Sequence, residues 1–214
     1  MTIPEPEAGG QLTISLSAIC ANWKLLASKA PQAECAAVVK ADAYGCGIEA
    51  VGKALHGIGC ATFFVAHVSE AKRLRAVAGS AIIYVLNGFF SGTVDEYIRY
   101  NLYPVLGSMP EMQEWAASAG AAHGCAVHVD TGMNRLGLRP TEFQDWLDGC
   151  AGQPPFKINL LMSHFACSDE PAHALNQQQI SEFAELRQLL PHIPASLANS
   201  SGIFLGGTAH HNLL

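Results

Sequence analysis

The sequence predicts an α/β protein built as a (β/α)8 barrel, with seven strands visible and the eighth missing. From residue 33 onward, short apolar runs alternate with stretches of helical periodicity, which is typical of repeated βα units. This spacing fits an open doubly wound sheet or a closed barrel. The first strand lacks a following Gly-x-Gly-x-x-Gly, which disfavours a dinucleotide-binding sheet. A barrel would bring the polar strand-end residues to one face, namely Lys40, His67, Asn87, Asp130, His164 and Asn199.

The predicted strands and helices follow one another in strict alternation. The strands are 35–39, 61–67, 81–86, 102–106, 125–130, 158–164 and 195–199. The helices lie near 48–57, 69–78, 93–100, 110–119, 141–150 and 177–190, with Ser69 and Pro110 as start signals.

The chain is short for a complete barrel of this kind. Such a barrel usually takes ~250 residues and eight strands, whereas this chain has 214 residues and stops at the start of another apolar run. We therefore expect a truncated chain. Residues 1–11, acidic and rich in Pro and Gly, are predicted to form a flexible N-terminus, and residues 12–214 a partial barrel domain.

Composition excludes several classes of function. The chain is 50% apolar and 14% charged, so it can bury a sizeable core, and its net charge of −6 disfavours nucleic acid and anionic membranes as partners. The seven cysteines form no Cys-x-x-Cys pair and are expected to be reduced. We see no secretion signal, no ~20-residue membrane segment and no histidine pair with metal spacing, and so expect a soluble cytoplasmic protein without a metal.

The first predicted strand ends in a lone amine. Lys40 closes the apolar run 36–39 and opens a glycine-rich turn, with Tyr44 four residues further on. Barrels build their sites at the carboxyl ends of their strands, and a lysine in an apolar setting can form a Schiff base with a carbonyl compound. The alternative is a lysine that simply extends its charge into solvent.

Three further segments place polar groups at strand ends. Asp130 precedes a loop that carries Arg135, whose guanidinium can fork onto a carboxylate or phenolate oxygen, or can cap the next helix at the surface. His164 ends the sixth strand, where a structural histidine is the commoner interpretation. Ser200 and Ser201 follow Asn199 before a short helix, where their hydroxyls and backbone N–H groups can bind an anion or, equally well, cap the helix.

Four segments together resemble the alanine racemase family, in the same order and at similar intervals. They are 37–47 (AVVKADAYGCG), 128–137 (HVDTGMNRLG), 163–166 (SHFA) and 198–200 (ANS). The first two are long and specific, and the similarity extends over roughly residues 12–214. The resemblance implies a (β/α)8 barrel that holds pyridoxal 5′-phosphate, followed in the family by a β-rich second domain.

The resemblance implies catalytic roles for three residues. Lys40 matches the lysine that forms the Schiff base with the cofactor and serves as one of two catalytic bases. Arg135 matches the arginine that contacts the cofactor's phenolic oxygen and helps to hold the substrate carboxylate. His164 matches the histidine beside the pyridine ring.

The same resemblance implies the remaining cofactor contacts. Tyr44 and Ser200 match residues that bind the phosphate, with Asn199 in the same motif as Ser200. Leu86 falls where the family has an apolar residue near the cofactor.

The implied activity is the interconversion of L- and D-alanine by two bases on opposite faces of the substrate. In the family the second base is a tyrosine from the second domain of a partner subunit, which implies a homodimer. Because that domain is absent here, we expect the chain alone to lack full activity.

Three positions depart from the family pattern. His128 stands where many members have a lysine whose carbamate orients the arginine, so Arg135 must be positioned by something else. Asp42 and Cys46 replace the usual Asn and His and are interpreted as tolerated variation.

Other functions are also compatible with parts of the pattern. A racemase of another small amino acid, such as serine, would share the motifs. A barrel-fold decarboxylase would share the lysine but not the segment around Arg135. A single-domain protein that stores or delivers pyridoxal phosphate would be expected to have a finished eighth strand.

Overall fold

The computed structural model describes residues 9–214. Residues 9–11 are exposed and lack regular structure. The rest of the predicted flexible N-terminus at 1–11, residues 1–8, lies outside the described residues.

Seven parallel strands form one sheet in which each strand pairs with its neighbours along the chain. They are β1 (Ala37–Val38), β2 (Thr62–Val65), β3 (Ile82–Val85), β4 (Tyr103–Leu106), β5 (Cys125–His128), β6 (Ile158–Met162) and β7 (Ala195–Ser196). Sequential parallel order is the topology of a (β/α)8 barrel. The predicted fold class is confirmed, and each of the seven predicted strands contains one observed strand.

The helices lie between the strands and cover the outside of the sheet. They are α1 (Leu16–Lys29), α2 (Lys40–Tyr44, a left-handed turn), α3 (Ile48–Gly57), α4 (Val68–Val77), α5 (Val94–Arg99), α6 (Met109–Ala116), α7 (Gly120–His123), α8 (Pro140–Gly149) and α9 (Ala174–Leu189). Two short 3-10 helices follow β7, at Gly202–Leu205 and Gly207–Ala209. All six predicted helices are present.

Helix α1 was not predicted, because the repeating pattern was followed only from residue 33. Its half-buried side chains Leu16, Ile19, Trp23 and Leu26 recur at helical spacing and pack on the main core. Ser15 caps its first turn by accepting a hydrogen bond from the Ala18 N–H. The periodicity was therefore present in the sequence.

The gap between β7 and β1 contains the last residues of the chain. Residues 212–214 form bridges to both neighbours, through Glu34 on one side and Ser196 on the other. The Ala36 N–H donates to the Leu214 carbonyl at 2.9 Å. This segment therefore lies between β7 and β1, in the position of an eighth strand.

Side chains alternate along each strand between the inside of the barrel and the layer under the helices. The inner set is a compact apolar cluster of Phe64, Tyr84, Val105, Ala126, Leu160, Met162 and Leu213. The outer set joins the helices in a much larger core. Within it, Trp115 contacts Phe89 and Tyr97 edge to face, with ring centroids 5.2 and 5.8 Å away.

Glu111 joins the loops that follow β3 and β4. Its Oε1 accepts from the Phe89 N–H at 3.1 Å, and its Oε2 accepts from the Gly107 N–H at 3.0 Å and the Ser108 hydroxyl at 2.8 Å. Gly88 has φ of 76°, which favours glycine, and a Cβ there would stand 1.9 Å from Glu111 Oε1 and displace the carboxylate. One carboxylate therefore satisfies polar groups from two neighbouring loops.

We expect Glu111→Ala to lower the free energy of unfolding by about 3 kcal/mol, because three donors lose a charged acceptor. Glu114→Ala on the same helix is the matched control, since among residues 9–214 Glu114 accepts a single hydrogen bond, from the exposed Gly92 N–H, and we expect it to cost less than about 1 kcal/mol. Urea unfolding of both variants measures the difference. Equal losses would contradict the linking role of Glu111.

Candidate active site

The alternation of the strands brings four of the singled-out side chains to the inner face of the barrel mouth. Lys40, His128 and His164 each stand two residues beyond an inward position of β1, β5 or β6, and Leu86 packs on the inner cluster. Val38, the inward residue before Lys40, is 45% exposed. The barrel interior beside Val38, two residues before Lys40, is therefore open.

The chain after Lys40 makes a left-handed turn without a glycine. Residues Ala41, Asp42, Ala43 and Tyr44 have φ angles of 51°, 55°, 54° and 54°. Each left-handed non-glycine residue costs roughly 1–2 kcal/mol, so the surrounding structure must hold this turn. The turn carries Tyr44 to the rim, where it is 65% exposed.

Asp42 anchors the left-handed turn to the helices behind it. Its N–H donates to Glu70 Oε1 at 3.2 Å, and its Oδ1 accepts from the Ile48 N–H at 3.0 Å. The same oxygen accepts from the Arg73 guanidinium at 2.8 Å, and Arg73 also binds both carboxylate oxygens of Glu49. Asp42, interpreted from the sequence as tolerated variation, thus has a defined structural role.

The loop that carries Arg135 is closed at its base. The Leu138 N–H donates to the His128 carbonyl at 2.9 Å, and the Asp130 N–H donates to the Leu138 carbonyl at 2.8 Å. Gly137 has φ of 108°, and a Cβ there would lie 2.8 Å from the Asp130 nitrogen. Arg135 stands exposed on this loop, and neither it nor Lys40 forms an ion pair with a carboxylate of residues 9–214.

A cavity of about 340 Å³ opens on the side of the barrel mouth formed by β3, β4 and β5. Its lining comprises Leu86, Asn87, Gly88, Val105, Gly107, Ser108, Glu111, His128, Arg135, Leu136 and Gly137. It brings the predicted residues Leu86 and Arg135 together. Lys40, Tyr44, His164, Asn199 and Ser200 lie outside this lining.

Both inward histidines are neutral at pH 7. Burial, His164 and Arg135 lower the pKa of His128 to about 4, against a smaller opposite effect of Asp130. Burial lowers the pKa of His164 to about 4, with further contributions from Arg135 and Lys40. Lys40, Arg135 and His164, the three predicted catalytic residues, therefore share one electrostatic environment.

The Asn199 side chain is bound within the segment after β7. Its Oδ1 accepts from the Ser168 hydroxyl at 2.7 Å and from the N–H of Gly202, the first residue of the following 3-10 helix, at 2.9 Å. A Cβ at Gly202 would lie 2.8 Å from the Phe165 ring. Ser200 is exposed beside this cap. The Asn199 oxygen is thus engaged within the protein, and Ser200 is the more accessible of the two.

Sequence analysis missed the residues that support the site. Glu70 stands three residues after His67, and the two residues form a capping box at the start of α4. This spacing is visible in the sequence. Arg73 and Gln179 carry no such signal, because their partners are 31 and 48 residues away along the chain.

Residues 9–214 contain neither a candidate metal cluster nor a candidate membrane-spanning helix. Among residues 9–214, no group of three or more His, Cys, Asp and Glu side chains is arranged to hold a metal ion. Within the same residues, no helix has both the length and the apolar character that crossing a bilayer requires.

The histidine pKa values predict an acid-sensitive fold. Because the pKa of His128 falls from 6.5 in the unfolded chain to about 4 in the folded chain, the unfolded chain binds more protons between these pH values. His128 should therefore cost on the order of 3 kcal/mol of stability as pH drops through this window. Urea unfolding measured from pH 7 to pH 4 should show a smaller loss of the free energy of unfolding for His128→Leu than for the parent. Equal losses would contradict the conclusion that burial lowers the His128 pKa.

Comparison with known proteins gives a consistent result. The family described as "Alanine racemase, N-terminal domain" matches residues 14–214. The alanine racemase of Methylobacterium nodulans is 54% identical over 209 residues, which cover 96% of this chain and 56% of that protein. The alanine racemase of Methylobacterium sp. (strain 4-46) is 48% identical over 217 residues, covering 100% of this chain and 59% of that protein.

Solved structures agree with the sequence relatives. The alanine racemase from Bartonella henselae with covalently bound pyridoxal phosphate superposes with a TM-score of 0.87 at 35% identity, covering 94% of this chain and 59% of that chain. The biosynthetic alanine racemase from Pseudomonas aeruginosa gives a TM-score of 0.82 at 35% identity, covering 93% and 56%. The chain spans a little over half the length of these relatives.

Proposed function

Since the chain belongs to the family of the alanine racemase N-terminal domain, we propose that the protein interconverts L- and D-alanine with pyridoxal 5′-phosphate as its cofactor. The observation that carries the proposal is the inward-facing Lys40 at the open barrel mouth, in the same electrostatic environment as Arg135 and His164. The Bartonella henselae relative, which holds pyridoxal phosphate covalently, supports the choice of cofactor.

The donor set of the chain fits this cofactor. An amine, Lys40, can bind an aldehyde covalently. The exposed hydroxyls of Tyr44 and Ser200 can donate to a phosphate, and the guanidinium of Arg135 can donate to a phenolate oxygen. Leu86 adds an apolar wall. Asn199 has its oxygen engaged by Ser168 and Gly202, so only its amide N–H groups can contribute.

Pyridoxal phosphate, when bound, withdraws electrons so that the Cα proton of an amino acid becomes acidic enough to remove. Lys40 would hold the cofactor through its Nζ, and the same amine would take or return that proton on one face of the substrate. Arg135 has no carboxylate partner among residues 9–214, so its guanidinium is available to orient the substrate carboxylate.

His164 contributes as a neutral imidazole. Its pKa of about 4 keeps the ring uncharged at pH 7, so that no further positive charge is added near Arg135 and Lys40. An uncharged flat ring can lie against the cofactor without repelling the cationic groups around it. We assign His164 this packing role rather than proton transfer.

The proposal includes elements that lie beyond these residues. Racemisation requires a second base on the opposite face of the substrate, which we propose is a tyrosine from a second domain of a partner subunit in a homodimer. A cytoplasmic location stays a prediction from the sequence. The partial coverage of the relatives, 56% and 59% of their lengths, leaves room for such a domain in the family.

Lys40→Ala in the full-length protein should abolish the visible absorbance of the lysine-linked cofactor and lower racemisation of alanine by about 10³-fold or more. Lys53→Ala, which alters an exposed lysine of α3, is the matched control and should retain both. Persistence of the absorbance in Lys40→Ala would refute the role of Lys40. Normal cofactor binding without any racemisation by the parent protein would instead favour a protein that stores the cofactor.

A further inference from the structure

A buried hydrogen-bond network lies behind Arg135 and His164. At its centre is Gln179 of α9, whose side chain is fully buried. The Gln179 Oε1 accepts from the Ala166 N–H at 2.9 Å, and the Nε2 donates to the His164 carbonyl at 2.9 Å and to Thr131 Oγ1 at 3.3 Å. Thr131 Oγ1 also lies 2.7 Å from Ser163 Oγ.

The network requires an amide at position 179. The carbonyl oxygen is needed for the Ala166 N–H, and the NH2 group is needed for two acceptors on the other side. A carboxylate of the same length has no hydrogen to donate, and an apolar side chain would leave buried polar groups without partners. Only glutamine has the length, the acceptor and the two donors that these contacts use.

The two loops tied by Gln179 are the ones that carry functional groups. Thr131 begins the loop that presents Arg135, and Thr131 is 1% exposed. The His164 carbonyl and the Ala166 N–H belong to the segment after β6 that carries the His164 imidazole. Moving Gln179 would shift these two loops relative to each other, although it touches neither the Arg135 nor the His164 side chain.

We propose that Gln179 is a positioning residue that sets the spacing between the His164 segment and the loop carrying Arg135. This inference rests on the proposed function, because that function gives the His164 and Arg135 side chains their chemical use. The positioning itself rests on the hydrogen bonds, and it can be measured in protein without cofactor.

A purely structural role is the competing explanation, and α9 offers a matched control for it. Asn176 is also a buried amide on this helix, but its Nδ2 donates to the Glu170 carbonyl, six residues beyond His164 in the loop after β6, and not to the loop that carries Arg135. Replacing either amide by an apolar side chain of similar size removes a buried hydrogen bond and lowers stability. Only the Gln179 replacement should alter the His164 environment.

The test is an NMR titration of the histidine ring protons in cofactor-free protein, with the His164 signal identified by its loss in His164→Asn. In the parent and in Asn176→Leu we expect a His164 pKa near 4. In Gln179→Met the released segment should admit water to the imidazole, and the pKa should rise toward the ordinary 6.5. An unchanged His164 pKa in Gln179→Met, or an equal rise in Asn176→Leu, would overturn the proposal.

Gln179→Glu keeps the inference testable if Gln179→Met does not fold. The carboxylate still accepts from the Ala166 N–H, but it places an oxygen against the His164 carbonyl oxygen. Repulsion between these two oxygens should move the segment, and the His164 pKa should again rise. A value that stays near 4 would count against positioning. Because the titration needs no cofactor, its outcome is independent of the Lys40→Ala result that tests the proposed function.

Discussion

The loops at the carboxyl ends of the strands are held in pairs by side chains from the helices that follow every second strand. Glu70 accepts from Asp42 after β1 and from Ala66 and His67 after β2. Glu111 joins the loops after β3 and β4 in the same way. Gln179 joins those after β5 and β6. Loop N–H groups removed from water need acceptors, and the candidate site depends on how these are supplied.

The first of these ties makes the Lys40 turn possible. Four successive left-handed residues are unfavourable in isolation, yet the turn is held by Glu70 from one side and by the Asp42–Arg73 pair from the other. The Arg73 hydrogen bonds also lower the pKa of Glu49. Backbone strain next to a functional residue is common, because the surrounding contacts maintain a geometry that the local sequence would not adopt.

The barrel mouth contains two neutral histidines beside a lysine and an arginine. Burial keeps both histidines neutral, so their rings add no positive charge beside Lys40 and Arg135. The absence of a carboxylate partner for either within residues 9–214 leaves both for an anionic or carbonyl ligand. His128 lies on the cavity wall and shares the electrostatic environment of Arg135.

Hydrophobic periodicity in the sequence predicts the number and order of the seven strands, because it is local and has a fixed period of two in a strand. Periodicity fits an open sheet as well as a barrel; the missing Gly-x-Gly-x-x-Gly and the polar strand ends favoured the barrel, and Leu86 was assigned from the family resemblance. Only the folded structure shows that Asp42 anchors a left-handed turn, that Ser168 binds the Asn199 oxygen, and that Gln179 joins two loops. Those contacts join residues 31 to 48 positions apart, and no local pattern encodes a partner at such a separation.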